Sequence, residues 1–264
     1  MERVTFKPHS RHMEYPEIRI VSYASPLSWL KAGFSDLIRT WPISLGYGVV
    51  FAALGYFLVS YAWSWPHLAM VLTSGFLILA PFLALGFYDL SRQLDNNMSP
   101  KLRHTLDAWN ENSTSIGLYA AMLIVLLIAW ERMSAILVGL FRIDSIPAVA
   151  NPYIALVSSS EYWGFVVAYT LFGVVLAVVV FALSVVSLPM MLDRKVDTAT
   201  AMMTSLWTVR ENPFVMLFWA GIIVVLVGIG YLTAFIGLVL FFPLLGHATW
   251  RAYQDLIEPP SNKK

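Results

Sequence analysis

Apolar runs long enough to cross a bilayer, separated by short stretches that carry nearly all the charge, organise this chain from residue 43 to residue 246. A spanning helix needs about 20 apolar residues. Residues 43–63, 69–88, a run from 115 to 130 or beyond, 162–191 and 214–246 qualify. At about 1.5 Å per residue, the last would reach about 50 Å as one helix, against a hydrocarbon core of about 30 Å. Gly228, Gly230 and Gly237 interrupt it. The pattern therefore predicts two tightly connected helices that turn between Gly230 and Gly237. The expected fold is an all-α membrane protein with six transmembrane helices. One long tilted helix in that region would leave five.

Shorter amphipathic stretches precede the apolar pairs. Leu27, Leu30, Phe34, Leu37, Ile38 and Trp41 share one helical face, with Lys31, Ser35, Asp36 and Arg39 on the other. Leu102, Leu106 and Trp109 alternate with Lys101, Arg103 and Asp107, and Ala199, Met202, Met203, Leu206 and Val209 form a third stripe. Each stretch ends in a break, at Trp41-Pro42, at Glu111-Asn112-Ser113 and at Glu211-Asn212-Pro213. A proline also recurs near the far end of each second helix, as Pro81, Pro189 and Pro243. The reading is three repeats, near residues 26–95, 100–195 and 197–257, each an interfacial helix followed by a transmembrane hairpin. Such a repeat implies a pseudo-threefold bundle. Residues 26–257 form one transmembrane domain in this reading, between a polar segment at 1–25 and a tail at 258–264.

Charge sets the orientation. Of the 17 Lys and Arg, all except Arg132 and Arg142 fall on one side of the six-helix arrangement. Positive residues accumulate on the cytoplasmic side, so both ends are expected there. Trp41, Trp63, Trp65, Trp130, Trp163 and Trp250 fall near expected span ends, where amphipathic rings prefer to sit. With 58% hydrophobic and 12% charged residues, there is too little polar surface for a globule in water. The net charge of +1 gives no electrostatic footprint for nucleic acid. The chain has no cysteine, which excludes disulfides and thiolate chemistry. No apolar segment near the start predicts a cleaved leader, so the first span is expected to direct its own insertion.

The segment Ser28-Trp29-Leu30-Lys31-Ala32-Gly33-Phe34-Ser35-Asp36-Leu37, followed by Ser44-Leu45-Gly46-Tyr47-Gly48, resembles the opening of a bacterial family of integral membrane proteins. So do Leu188-Pro189-Met190-Met191-Leu192-Asp193-Arg194 and Asn212-Pro213. The family is the domain of unknown function 2189 family, and the resemblance extends over residues 26–257. It implies a bacterial inner-membrane location and brings no established activity. Some members carry the label cytochrome c oxidase subunit I. A haem–copper core needs several histidines inside its helices. Of the five histidines here, only His247 falls on an expected span helix, near its cytoplasmic end, so the oxidase chemistry is rejected.

Ionisable residues at membrane depth usually mark function, and the span centres are nearly bare of them. Glu131 and Arg132 form the one candidate, near the outer end of the third helix. Adjacent helical positions point about 100° apart, so these two need not pair. A second constellation belongs to the cytoplasmic face: Asp36, Arg39, Asp89, Arg92, Asp107, Asp193, Arg194, Arg210, Glu211, Arg251 and Asp255. Packed around an axis, these groups would ring the inner mouth, with helix capping and pairing between repeats as their expected work. Pro42, Pro81, Pro189, Pro213 and Pro243 are read as helix-end features. No catalytic, metal-binding or cofactor motif stands out. The expected protein is non-enzymatic: a scaffold or accessory subunit, or a binder of lipophilic molecules. Its expected partners are membrane lipids and a membrane protein or a second copy. A transporter or channel for a small or hydrophobic solute is the alternative, encouraged by the repeat.

Overall fold

A computed structural model describes residues 5–6, 16–62, 66–143 and 158–259. His9, His12, Trp63 and Trp65 lie outside these residues. The described chain is almost wholly helical. The helices are α1 (Ser25–Arg39), α2 (Trp41–Ala62), α3 (Pro66–Leu83), α4 (Leu85–Asp95), α5 (Leu102–Glu111) and α6 (Ser113–Leu140). They continue as α7 (Trp163–Ser184), α8 (Ser187–Asp193), α9 (Thr198–Glu211), α10 (Pro213–Leu232) and α11 (Leu238–Leu256). Two short strands, β1 (Thr5–Phe6) and β2 (Ile18–Arg19), pair antiparallel.

Among the described residues, four segments are long and apolar enough to cross a membrane: Trp41–Leu58, Ser113–Leu140, Ser160–Asp193 and Pro213–Leu232. Six were expected. The other two fall on helices that proline and charge divide. Helix α3 carries Pro81 internally and gives way to α4 at Ala84. Helix α11 carries Pro243 internally and ends in a polar stretch with His247, Arg251 and Asp255. Proline removes one backbone donor and crowds the preceding turn, so it marks such breaks. Pro42 and Pro213 sit in the first turns of α2 and α10, where a missing N–H costs nothing, and Pro189 lies early in α8.

The long apolar run does break where expected, but its glycines play a different part. Helix α10 ends in hydrogen bonds from Phe235 N–H to the Gly230 carbonyl (2.9 Å) and from Ala234 N–H to the Tyr231 carbonyl (3.0 Å). In this turn the residues with positive φ are Ala234 (51°) and Phe235 (70°). Gly230 and Gly237 instead permit close approach: a Cβ on Gly237 would lie 3.1 Å from the Gly230 Cα.

Helices α1, α5 and α9 form where the amphipathic stretches predicted them, yet their inner faces are not the apolar ones. Helix α1 buries Trp29, Gly33, Asp36 and Leu37, while Leu27, Phe34 and Ile38 are exposed. Helix α5 buries Thr105 and Ala108 and exposes Leu102 and Leu106. Helix α9 buries Thr200, Ala201, Thr204, Ser205 and Thr208, with Met203 and Leu206 outside. Small and hydroxyl side chains let helices pack closely, and hydroxyls bond back to the preceding turn, as Thr204 does to the Thr200 carbonyl (2.8 Å). The sequence reading placed Asp36 on the polar face with Lys31, Ser35 and Arg39; of these four it alone is buried.

The chain divides into two compact units: residues 1–53, 81–119 and 181–264 in one, residues 54–80 and 120–180 in the other. In the first, α4, α8 and α11 pack against one another, and α1 packs on α11, α5 on α4 and α9 on α8. The α1–α11 contact is close at Gly33, where a Cβ would come within 2.6 Å of the Ala248 nitrogen. At Gly48 an added Cβ would collide with the Val239 carbonyl oxygen. The two ends of the described chain meet here: Ile18 bridges Ile257, and Glu258 N–H donates to the Glu17 carbonyl (3.0 Å). Helix α9 starts at a cap in which the Asp197 carboxylate accepts from Thr200 N–H (2.9 Å).

The second unit is held by aromatic packing. Trp130 meets Tyr169 edge-on (4.9 Å between centroids) and stacks with Phe172 (6.0 Å); Phe165 packs on Phe141 and Tyr169. Trp130 was expected at an interface but is a buried core residue. Trp250, in the first unit, is buried too, because Asp95 accepts its indole N–H (2.8 Å). Trp41 and Trp163 are exposed, as an interfacial role requires.

Candidate functional site

The polar residues of the first unit gather into three connected clusters, each built round an arginine of the α4, α8 and α11 core. Arg251 of α11 holds Asp36 of α1 in a two-pronged grip: Nε donates to Oδ2 (2.8 Å) and Nη2 to Oδ1 (2.8 Å). Its Nη1 donates to Asp95 at the end of α4 (2.6 Å). Asp95 also accepts from Trp250 and from Gln254 Nε2 (2.7 Å). Burial pushes the Asp36 carboxyl up from its ordinary value, and Arg251 and Ser91 pull it back only in part.

Behind this pair lies a buried histidine. Ser91 Oγ donates to Asp36 Oδ2 (2.8 Å) and lies 2.8 Å from His247 Nδ1. A hydroxyl has one proton, and Ser91 gives its own to the carboxylate. Nδ1 must therefore be the imidazole's donor towards Ser91. On the other edge, Nε2 faces Ser44 Oγ (2.9 Å) and Thr40 Oγ1 (3.3 Å). Thr40 donates to the Asp36 carbonyl (2.8 Å). The network thus pins together α1, α2, α4 and α11.

The second cluster centres on Asp89, which is fully buried. Its Oδ1 accepts from Arg92 Nε (3.1 Å) and Nη2 (2.7 Å), and its Oδ2 from Gln93 Nε2 (2.6 Å), with His104 Nδ1 at 3.2 Å. Arg92 also grips both oxygens of Glu111 on α5 (2.5 and 2.7 Å) and donates to the Leu192 carbonyl of α8 (2.8 Å). Hydrogen bonding from Arg92 holds the Glu111 carboxyl below its ordinary value. Asp89, His104 and Glu111 bring three ligand atoms within 4.8 Å of one another, the spacing a metal ion would need. The Arg92 guanidinium bridges the two carboxylates, and Gln93 takes the far oxygen of Asp89, so the donor set is matched to a planar cation of the chain itself.

In the third cluster, Arg194 Nε donates to Tyr253 Oη of α11 (2.8 Å) and Nη2 to the Glu258 carbonyl (2.5 Å). Tyr253 donates to Asp193 Oδ2 (2.6 Å). The three arginines form a cycle: Arg92 reaches from α4 to α8, Arg194 from the end of α8 to α11, and Arg251 from α11 to the end of α4.

Of the residues read from the sequence, Asp36, Asp89, Arg92, Asp193, Arg194 and Arg251 lie in this cycle. Asp255 lies beside it and accepts from the Trp29 indole (3.0 Å). Arg39 and Arg210 do not join it; both are exposed, and Arg210 stacks over the Trp207 ring (5.0 Å). Sequence reasoning passed over Ser91, Asp95, Glu111, His247 and Tyr253 as members. Helical spacing signals one pair of the cycle, Asp89 with Arg92, which sit one turn apart and bond (2.7 Å). In the second unit, Glu131 and Arg132 do pair (3.1 Å), because two long side chains can bend towards each other across adjacent positions. The Arg132 side chain is 76% exposed, so the pair adds little.

Residues 68–193, just under half of the chain, match the family described as a predicted integral membrane protein, DUF2189. No curated protein and no solved structure matches the chain.

Proposed function

We propose that this integral membrane protein crosses the bacterial inner membrane six times, as three hairpins with both ends in the cytoplasm. In this reading it works as a non-enzymatic scaffold or accessory subunit, or as a binder of lipophilic molecules. The observation that carries the reading is the arginine cycle. Arg92, Arg194 and Arg251 spend their donors on acids, carbonyls and a tyrosine of neighbouring elements. Charges engaged in this way brace helices rather than stand ready for a substrate.

Topology draws on a separate argument. Ile18 and Ile257 touch, so the chain between them must cross a bilayer an even number of times. The four apolar segments, with α3–α4 and α11 as two further spans that carry Pro81 and Pro243 inside their helices, give six. The packing of α1 on α11, α5 on α4 and α9 on α8 supports three related units. The transporter or channel alternative draws on the same cyclic arrangement, and an aqueous path lined by polar groups would favour it.

Purification in lipid nanodiscs followed by mass spectrometry tests the role. Retention of a protein partner or a lipophilic molecule, without turnover, is expected. A clear catalytic turnover, or neither partner nor bound molecule, would overturn it. The cysteine-free chain suits a topology test: single cysteines at Asn97 and Ser160 should label from opposite sides of the membrane.

A further inference from the structure

Helix α1 divides into three sectors when its residues are laid out at about 100° per position. Trp29, Gly33, Asp36 and Thr40 occupy the sector packed inward. Leu27, Phe34, Ile38 and the adjoining Trp41 occupy the opposite one and are roughly half exposed or more (55%, 49%, 56% and 60%). Between them lies a third sector of Ser28, Lys31, Ser35 and Arg39, all exposed. Among the described residues no ion pair engages Lys31 or Arg39. The single acid of the helix, Asp36, is turned inward and held by Arg251.

The other two outer helices differ. Around α5, Lys101 and Arg103 have the exposed acid Asp107 beside them, while Glu111 is held by Arg92. Around α9, Arg210 is matched by Asp197 and Glu211. Of the three, α1 alone carries an outward apolar strip and positive charge with no outward acid to offset it. That pairing suits one occupant: acyl chains against the apolar strip and anionic phosphates against the basic sector beside it.

We infer that the outward face of α1 binds the anionic phospholipids of the leaflet in which it lies, with Lys31 and Arg39 at their phosphate groups. The inference rests on the membrane reading above. A basic side chain near an anionic surface contributes roughly a fivefold preference, so the two together set an upper bound of roughly 25-fold.

The test uses the full chain in phosphatidylcholine vesicles, with trace spin-labelled phosphatidylglycerol or spin-labelled phosphatidylcholine. Electron spin resonance reads the fraction of each label immobilised by the protein. Severalfold preference for phosphatidylglycerol is expected, weakened by salt. It should be reduced towards unity in the Lys31→Gln/Arg39→Gln double variant and kept in Lys31→Arg/Arg39→Lys. No preference, or an unchanged preference in the glutamine variant, overturns the inference. Alkaline extraction of the same vesicles separates the two failures. A chain released by alkali defeats the membrane reading itself, whereas a retained chain without preference defeats the lipid site alone.

Discussion

Two joints of the first unit use the same device under opposite conditions of chain connectivity. At the α4–α5 joint, Arg92 links Asp89 and Glu111, partners 3 and 19 residues away. At the α1–α11 joint, Arg251 links Asp36 and Asp95, partners 215 and 156 residues away. A short connection already holds α4 near α5. Nothing in the sequence order holds α1 near α11, so contacts between distant parts of the chain must supply that closure against the entropy of a long loop. The α1–α11 joint is correspondingly richer. It adds the His247 network, the Trp29–Asp255 hydrogen bond and the backbone approach at Gly33. The difference teaches where this fold is vulnerable: at the seam where its last helix meets its first.

The largest effect should come from Arg251. Arg251→Met leaves Asp36 buried with Ser91 as its remaining side-chain donor, and losing one partner of a buried pair costs about 3–5 kcal/mol. Arg92→Met should cost less, because Asp89 keeps Gln93 and His104 while Glu111 faces solvent. Thermal unfolding of the two variants in one detergent measures the ranking. Equal losses would break the comparison. Combining Arg251→Met with Asp36→Leu should recover part of the loss, since the orphaned charge is then gone.

Gly33→Ala comes next. The new methyl would press on the Ala248 backbone, which cannot swing aside as a side chain can. Overpacking of this kind costs about 1–3 kcal/mol. The expected readout is a lower unfolding temperature together with earlier proteolysis near the chain ends, where Ile18 and Ile257 meet. A variant as stable as the parent would show that the α1–α11 seam has slack.

The helices themselves were legible because lipid imposes a coarse rule, that apolar runs of a set length must be helical. The breaks at Pro42, Pro213 and the residue 233–237 turn followed from local chain chemistry, which sequence carries directly. The site was legible only in its composition. Acids and arginines at helix ends were visible, but which acid meets which arginine was not: Asp36 pairs with Arg251, far along the chain, rather than with anything nearby. Which face α1 buries was not legible for a related reason. Apolar periodicity marks the inner face of a helix when the surroundings are water. Here the apolar face of α1 points outward, so the same pattern marks the outside. Trp130 was misplaced because a tryptophan near a span end serves equally well as an interface anchor or as the centre of an aromatic core.

Acid should separate the two joints by sign, with the smallest effects of the series. Glu111 has a folded pKa below its unfolded value, through its hydrogen bonds from Arg92. Its contribution is present above the unfolded value, near 4.3 for a free glutamate, and is lost as pH falls through the depressed folded value. Asp36 has a folded pKa above its unfolded value, through burial. Its linkage runs the other way: the contribution is fully present below the unfolded value, near 3.9, and is lost as pH rises through the raised folded one. Acidification therefore weakens the α4–α5 joint through Glu111, while the folded state takes up a proton at Asp36 more readily than the unfolded chain does. Glu111→Gln should flatten the loss of stability between about pH 5 and pH 3, and Asp36→Asn should steepen it. Unfolding temperatures recorded across that range, relative to each variant's own value at pH 7, read the two slopes. Slopes of the same sign would show that the long-range joint and the local one share one electrostatic environment, and that chain connectivity does not set them apart.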